Sequence, residues 1–207
     1  MVIEKDYLQN TKHQVQSTQH IMSVQTRPVG IIDNARLGML LFIAAEIMFF
    51  AGLIGAFLVF RMGVATWPPP GQPRLPVLTT ALNTLFLLGS GWTISMGSRM
   101  IQRQKAIRWE RITLALGLVF LIGQGMEWGR LLQYGLTVEI GPYGFTFYVL
   151  VGFHALHVIG ALLWRSADVL RIFHFGGKVY RDPDLSRMYW YFVVGLWPVL
   201  YGLVYLY

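Results

Sequence analysis

LGMLLFIAAEIMFFAGLIGAFLVFR, Leu37 to Arg61, is the stretch on which the reading of this chain turns. Between Leu37 and Phe60 it carries a single charge, Glu46. At ~1.5 Å of rise per residue, a helix of this length crosses a ~30 Å hydrocarbon core. With the midpoint at about Phe49, the carboxyl of Glu46 is ~4–5 Å from the bilayer centre. An ionised, unpaired carboxylate at that depth costs at least ~2–3 kcal/mol. Glu46 is therefore neutral, or faces protein or water, or has a task.

The rest of the composition agrees with a membrane setting. The 207 residues are 55% hydrophobic and 14% aromatic, and 13% are charged, against about 25% in a soluble domain. The expected class is all-α, a polytopic membrane protein of one domain with five spans. The chain has no cysteine, which excludes disulfides, thiolate zinc sites, iron–sulfur clusters and thiolate-bridged copper.

Residues 1–35 are polar and lack a continuous apolar run, so they do not form a secretory signal. They read as a cytoplasmic tail ordered only against a partner; the spacing of His13 and His20 does not support a metal site. Spans are expected at about 37–60, 77–98, 112–134, 144–170 and 188–207. Two overlapping small-residue pairs, Ala51/Gly55 and Gly52/Ala56, suggest a packing seam inside the chain, and Gly125/Gly129 a second close approach. The loop WPPPGQPRLP, Trp67–Pro76, reads as a stiff extended segment at the membrane surface. Residues 99–111 read as a basic loop, and Pro198 as a kink in the last span. Asn83 is expected to bond across to another helix.

The net charge of +7 could suggest nucleic acid, but its placement points to topology. Fourteen basic residues fall on the N-terminal side of the spans; Arg61, Arg74 and Arg130 alone fall on the other. The positive-inside rule places the N-terminus in the cytoplasm and Tyr207 outside. Trp67, Trp109, Trp128, Tyr134 and Trp190 read as an interfacial aromatic belt.

The ionisable groups within the spans are Glu46, Glu127, His154 and His157. Gln124 and Glu127 share a helix face, as do His154 and His157. Matching depths favour Glu127 paired with His154 or His157, with Arg130 as a competing partner. Glu46 has Phe42, Phe49 and Phe50 on its face. It is expected to be buried as the neutral acid, at a lipid-lined surface or against a partner; a cross-link between two helices is the alternative. A carboxylate-bridged di-iron site needs Glu-x-x-His on two helices, and residues 49 and 130 are Phe and Arg. Both histidines lie on one helix, which gives a haem no second axial ligand. No nucleophile triad, phosphate loop or HExxH motif is present.

Six stretches together resemble a known family. They are RLGMLLFIAAEIMFF (Arg36–Phe50), WPPPG (Trp67–Gly71), LNTLFLLGSG (Leu82–Gly91), GQGMEW (Gly123–Trp128), GFHALHVIGAL (Gly152–Leu162) and YWYFV (Tyr189–Val193). In this order they resemble subunit III of haem–copper oxidases of the cytochrome c oxidase type, in its short five-helix bacterial form. The resemblance implies a non-catalytic subunit of a respiratory terminal oxidase in the bacterial inner membrane. It implies packing against the catalytic subunit I and subunit II, where the haems and copper reside, with bound phospholipid and support of proton uptake. This chain itself is expected to hold no metal or redox cofactor and to bind no nucleic acid. Glu46 looks like the family's buried carboxylate, and His154 and His157 like its GFHGLHV histidines. Glu46, Trp67, Arg61 and Trp92 are expected at a lipid or partner contact. The family's YWHFVD reads YWYFVV here, so Tyr191 and Val194 replace a His and an Asp. Two other readings are an accessory subunit of a nitric oxide reductase and a stand-alone membrane metalloenzyme or ion carrier.

Overall fold

The computed structural model describes residues 34–174 and 183–207. The expectations for His13, His20 and the rest of residues 1–33 lie outside them, as do Lys178 and Arg181, two further members of the fourteen basic residues counted on the N-terminal side. Five helices are long and apolar enough to cross a membrane. They are α1 (Asn34–Met62), α2 (Val77–Ser98), α3 (Arg103–Gln133), α4 (Pro142–His174) and α5 (Pro183–Tyr201). A 3-10 turn, Val138–Ile140, precedes α4, and a π turn, Gly202–Leu206, follows α5.

α2 has the expected limits, while the other four helices outrun or shift from theirs. The largest correction is α3, which starts at Arg103 rather than 112 and turns most of the expected basic loop into helix. α1 and α4 extend past 37–60 and 144–170 at both ends. α5 begins at Pro183, not 188, because Pro is well suited to a first helical turn. The physical reason is common to all four. Charge ends the part of a helix that lipid tolerates, but not the helix.

α2 and α3 pack face to face, and the polar residues of α2 make that possible. Thr84, Ser90, Thr93 and Ser95 each donate to a carbonyl of their own helix, so none needs water in the bilayer. Thr93 also meets Thr113 of α3 at 2.8 Å. Asn83 donates through Nδ2 to the Phe120 carbonyl at 3.0 Å, the expected bond across helices. Gly123 permits it, since a Cβ there would run into Asn83 Oδ1. Gly117 plays the same part for α5: a Cβ would stand 2.7 Å from the Trp190 ring. Trp190 is fully buried in this contact and is no part of an interfacial belt. The close-approach glycines of α3 are thus 117 and 123. Gly125 and Gly129 face open space, as do Gly52 and Gly55 on α1, so neither expected small-residue seam is used among the described residues.

α3 stops in a Schellman motif. Gly135 takes φ 86°, Gly135 N–H bonds the Leu132 carbonyl, and Leu136 N–H bonds the Leu131 carbonyl. The loop after α1 is less extended than three prolines suggest: Gln72 N–H reaches back to the Pro69 carbonyl, with Gly71 at φ 81°. Pro198 lies inside α5. The last turn is π, with Tyr207 N–H on the Gly202 carbonyl at 3.0 Å.

At the end of the bundle holding Asn34, the buried Arg165 of α4 joins α3 and α5. It pairs with Glu110 and donates to Ser186 Oγ at 2.9 Å. Arg36 of α1 pairs with Asp184 of α5 at 2.7 Å. α1 otherwise contributes only Met39, Phe50 and Phe57 to the buried core.

Candidate functional site

Two carboxyl groups stand inside the bundle, in unlike surroundings. Glu46 of α1 reaches His157 of α4, with Oε2 2.9 Å from Nε2. Both side chains are partly accessible, at 18% and 15%. The other ring nitrogen, Nδ1, lies 2.6 Å from the Phe153 carbonyl one turn earlier on α4. A carbonyl only accepts, so Nδ1 carries a hydrogen. Nε2 is then either a lone pair, which needs the proton of a neutral Glu46, or an N–H facing a carboxylate. In both states one proton lies between the two residues. Phe50 packs edge-on to the imidazole at 5.0 Å, and Phe49 contacts Phe153 at 5.1 Å. The bridge therefore sits among aromatic rings with one side open. Of the two expectations for Glu46, the structure displays the helix cross-link, with a histidine as its partner.

Glu127 is buried, and its expected pairing with a histidine is absent. Oε2 lies 2.5 Å from Thr80 Oγ1, Oε1 accepts from the Tyr205 hydroxyl at 2.6 Å, and Gln124 Nε2 approaches Oε1 at 3.3 Å. Gln124 also donates to the Tyr205 oxygen at 3.1 Å. Thr80 has one hydroxyl hydrogen and a second acceptor, the Pro76 carbonyl, at 2.9 Å. Both Thr80 contacts are full hydrogen bonds only when Glu127 supplies the proton on Oε2. The cluster then reads in one direction: Gln124 to Tyr205 to Glu127 to Thr80 to Pro76. Depth alone suggested His154. Angular position decides otherwise, because Glu127 points at α2 and the π turn. The pair Gln124 and Glu127 was visible from its spacing. Thr80 and Tyr205 were missed, although both lie near the span ends that share Glu127's depth.

His154 is fully buried and stacks on Trp197 at 4.9 Å, with Phe120 edge-on at 6.3 Å. Neither ring nitrogen has a hydrogen-bond partner among the described residues. His154 and His157 share a helix yet serve different neighbours, the core and α1. Among the described residues no group of three His, Asp or Glu side chains forms a ligand set for a metal.

The remaining candidates occupy the helix ends. Arg61 stacks over Trp67 at 5.6 Å and Tyr207 at 5.4 Å, and donates to the Tyr207 backbone oxygen at 3.1 Å. This ties the end of α1 to the end of the chain. Trp67 also packs edge-on against Phe57 and Tyr143. Trp92 is exposed on α2 and touches Trp109 at 6.0 Å. At the altered family motif, Tyr191 bonds Ser95 at 2.7 Å, and Val194 packs where a Cβ on Gly91 would lie 3.1 Å away.

Comparison with known proteins bears on this arrangement. The profile of the cytochrome c oxidase subunit III family matches residues 11–207. Cytochrome c oxidase subunit 3 of Synechocystis sp. is 37% identical over 189 residues, 86% of this chain and 77% of the relative. That of Thermostichus vulcanus is 36% identical over 183 residues, 84% and 88% of the two chains. That of Danio rerio is 35% identical over 181 residues, 82% and 68%.

Proposed function

Because this chain belongs to the cytochrome c oxidase subunit III family, we propose that it is the non-catalytic subunit III of a respiratory oxidase. On this reading it packs against the catalytic subunit I and subunit II in a bacterial inner membrane, with its N-terminus in the cytoplasm. The haems and copper that reduce oxygen belong to those partners. This chain contributes a scaffold, bound phospholipid and a proton-carrying bridge near the surface where proton uptake is supported.

The observation that carries the reading is the Glu46–His157 contact. RLGMLLFIAAE and GFHALHV, two of the stretches that carry the resemblance, meet through these side chains, which are 111 residues apart in the chain. The bridge holds one proton with two resting places, on a carboxyl partly open to its surroundings. Within such a pair the proton passes between carboxyl and imidazole without breaking the hydrogen bond to the other helix. The relatives carry the oxidase name, which favours this reading over a nitric oxide reductase accessory role.

Affinity purification of the tagged chain from its native membrane tests the assignment. A haem- and copper-containing catalytic subunit should co-purify in equal amount. A chain that purifies without an oxygen-reducing partner overturns it. A reporter fused after Tyr207 should be active only outside the cytoplasm.

A further inference from the structure

A cleft of about 450 Å³ opens between α2 and α3 at the Tyr207 end of the bundle. Arg74, from the loop before α2, and Arg130, one turn before the end of α3, stand at it. Leu82, Phe86 and Met126 line it deeper in the span, and all three are exposed. At ~1.5 Å per residue, Leu82 and Phe86 lie about 7 and about 13 Å below the start of α2. The lining therefore changes from cationic to apolar over roughly the depth between a headgroup and its acyl chain.

The charges single out the occupant. Arg74 and Arg130 are exposed, and neither has an ion pair among the described residues. The sequence order of the spans puts only three basic residues in the segments at this end, and Arg61 is occupied by Trp67 and Tyr207. The other two converge on one cleft. Its acid, Glu127, has both oxygens engaged by Thr80, Tyr205 and Gln124, so an incoming ammonium group finds no free carboxylate there.

We propose that this cleft binds an anionic phospholipid, its phosphate paired with Arg74 and Arg130 and an acyl chain laid along Leu82, Phe86 and Met126. Guanidinium groups suit this role because they pair bidentately with phosphate oxygens. The absence of a free anion for an ammonium head selects against zwitterionic lipids. The site is distinct from the Glu46 bridge; it rests on the proposed reading in giving that reading's bound phospholipid a place and a charge.

The test is a lipid count on the chain in its native complex. The complex is delipidated in detergent and reconstituted in phosphatidylcholine vesicles containing a minor share of phosphatidylglycerol. It is then re-extracted and weighed by native mass spectrometry. The wild type should retain one more phosphatidylglycerol than the Arg74→Gln/Arg130→Gln variant, with phosphatidylcholine retention equal in both. Leu82→Trp, which fills the apolar part and leaves both arginines, should lose the same lipid. It also decides the matter if the double variant fails to assemble. Equal phosphatidylglycerol retention in wild type and Leu82→Trp overturns the proposal. So does loss of phosphatidylcholine to the same extent, or a photoreactive group at Met126 that captures a protein chain instead of lipid. The count is blind to turnover, so its failure leaves the oxidase reading standing, and the reverse holds too.

Discussion

Glu127 and Glu46 are the same residue type in the same bundle, held in opposite ways. Glu127 is enclosed by α2, its own helix and the π turn, with three side chains on its two oxygens. Glu46 reaches from the sparsely packed α1 to a single partner, with one side open. The helices that carry them differ in the same sense. α2, which answers Glu127, buries eight residues, five of them Thr, Ser or Asn. α1 buries three, all apolar, in 29. A carboxyl enclosed by complementary donors is a structural element whose loss leaves several groups unpaired. A carboxyl with one histidine and an open side can hand its proton to that partner while the fold stays as it is.

The comparison is easiest to break at the enclosed end. Glu127→Leu leaves Thr80, Tyr205 and Gln124 without their shared partner, and should destabilise the chain by about 2–4 kcal/mol. Glu46→Leu should cost about 1 kcal/mol, because His157 keeps its bond to the Phe153 carbonyl and is partly accessible. Thermal unfolding of the two variants side by side measures this; a Glu46→Leu loss equal to that of Glu127→Leu would dissolve the distinction.

The packing beneath the enclosed site gives the next largest effect. Gly123→Ala drives a methyl into Asn83 and should cost about 1–3 kcal/mol. Adding Asn83→Ala should recover part of that loss, since it removes the obstacle. In a double-mutant cycle, simple additivity of the two losses would show that the Asn83–Gly123 contact is not the cause. Tyr205→Phe removes one hydroxyl from the cluster and should cost about 1 kcal/mol. An unchanged melting temperature would mean that the Tyr205–Glu127 bond contributes nothing to stability.

Much of this was legible in the sequence, and the misses have a physical pattern. The apolar run around Glu46 marks a span without any structural help, and a three-residue spacing puts Gln124 beside Glu127. Asn83 declares its need of a partner, because an amide in lipid must find one. What linear pattern does not carry is rotation about the helix axis. Depth brought Glu127 level with His154, but rotation turned one toward Thr80 and the other toward Trp197. The small-residue pairs failed for the same reason: Gly125 and Gly129 lie on the open side of α3, while Gly117 and Gly123 face neighbours. Trp190 looked interfacial from its place near a helix end, yet it fills the notch that Gly117 leaves. The start of α3 was hidden because charged residues end a span without ending a helix.

The smallest effect on stability is expected at Glu46→Gln, and there the functional claim is most exposed. The amide donates to His157 Nε2 and keeps the link to α4, but it cannot exist as the carboxylate form of the bridge. The direct measurement is turnover against time for the complex carrying Glu46→Gln, with Glu127→Gln as its counterpart. The account predicts that Glu46→Gln assembles in normal yield, then takes up protons more slowly or loses activity faster over many turnovers. Glu127→Gln should assemble in normal yield as well, because its amide donates to Thr80 and its oxygen accepts from Tyr205, and it should leave the activity decay unchanged. Normal proton uptake and an unchanged activity decay in Glu46→Gln would contradict it, and would reduce the bridge to a helix cross-link.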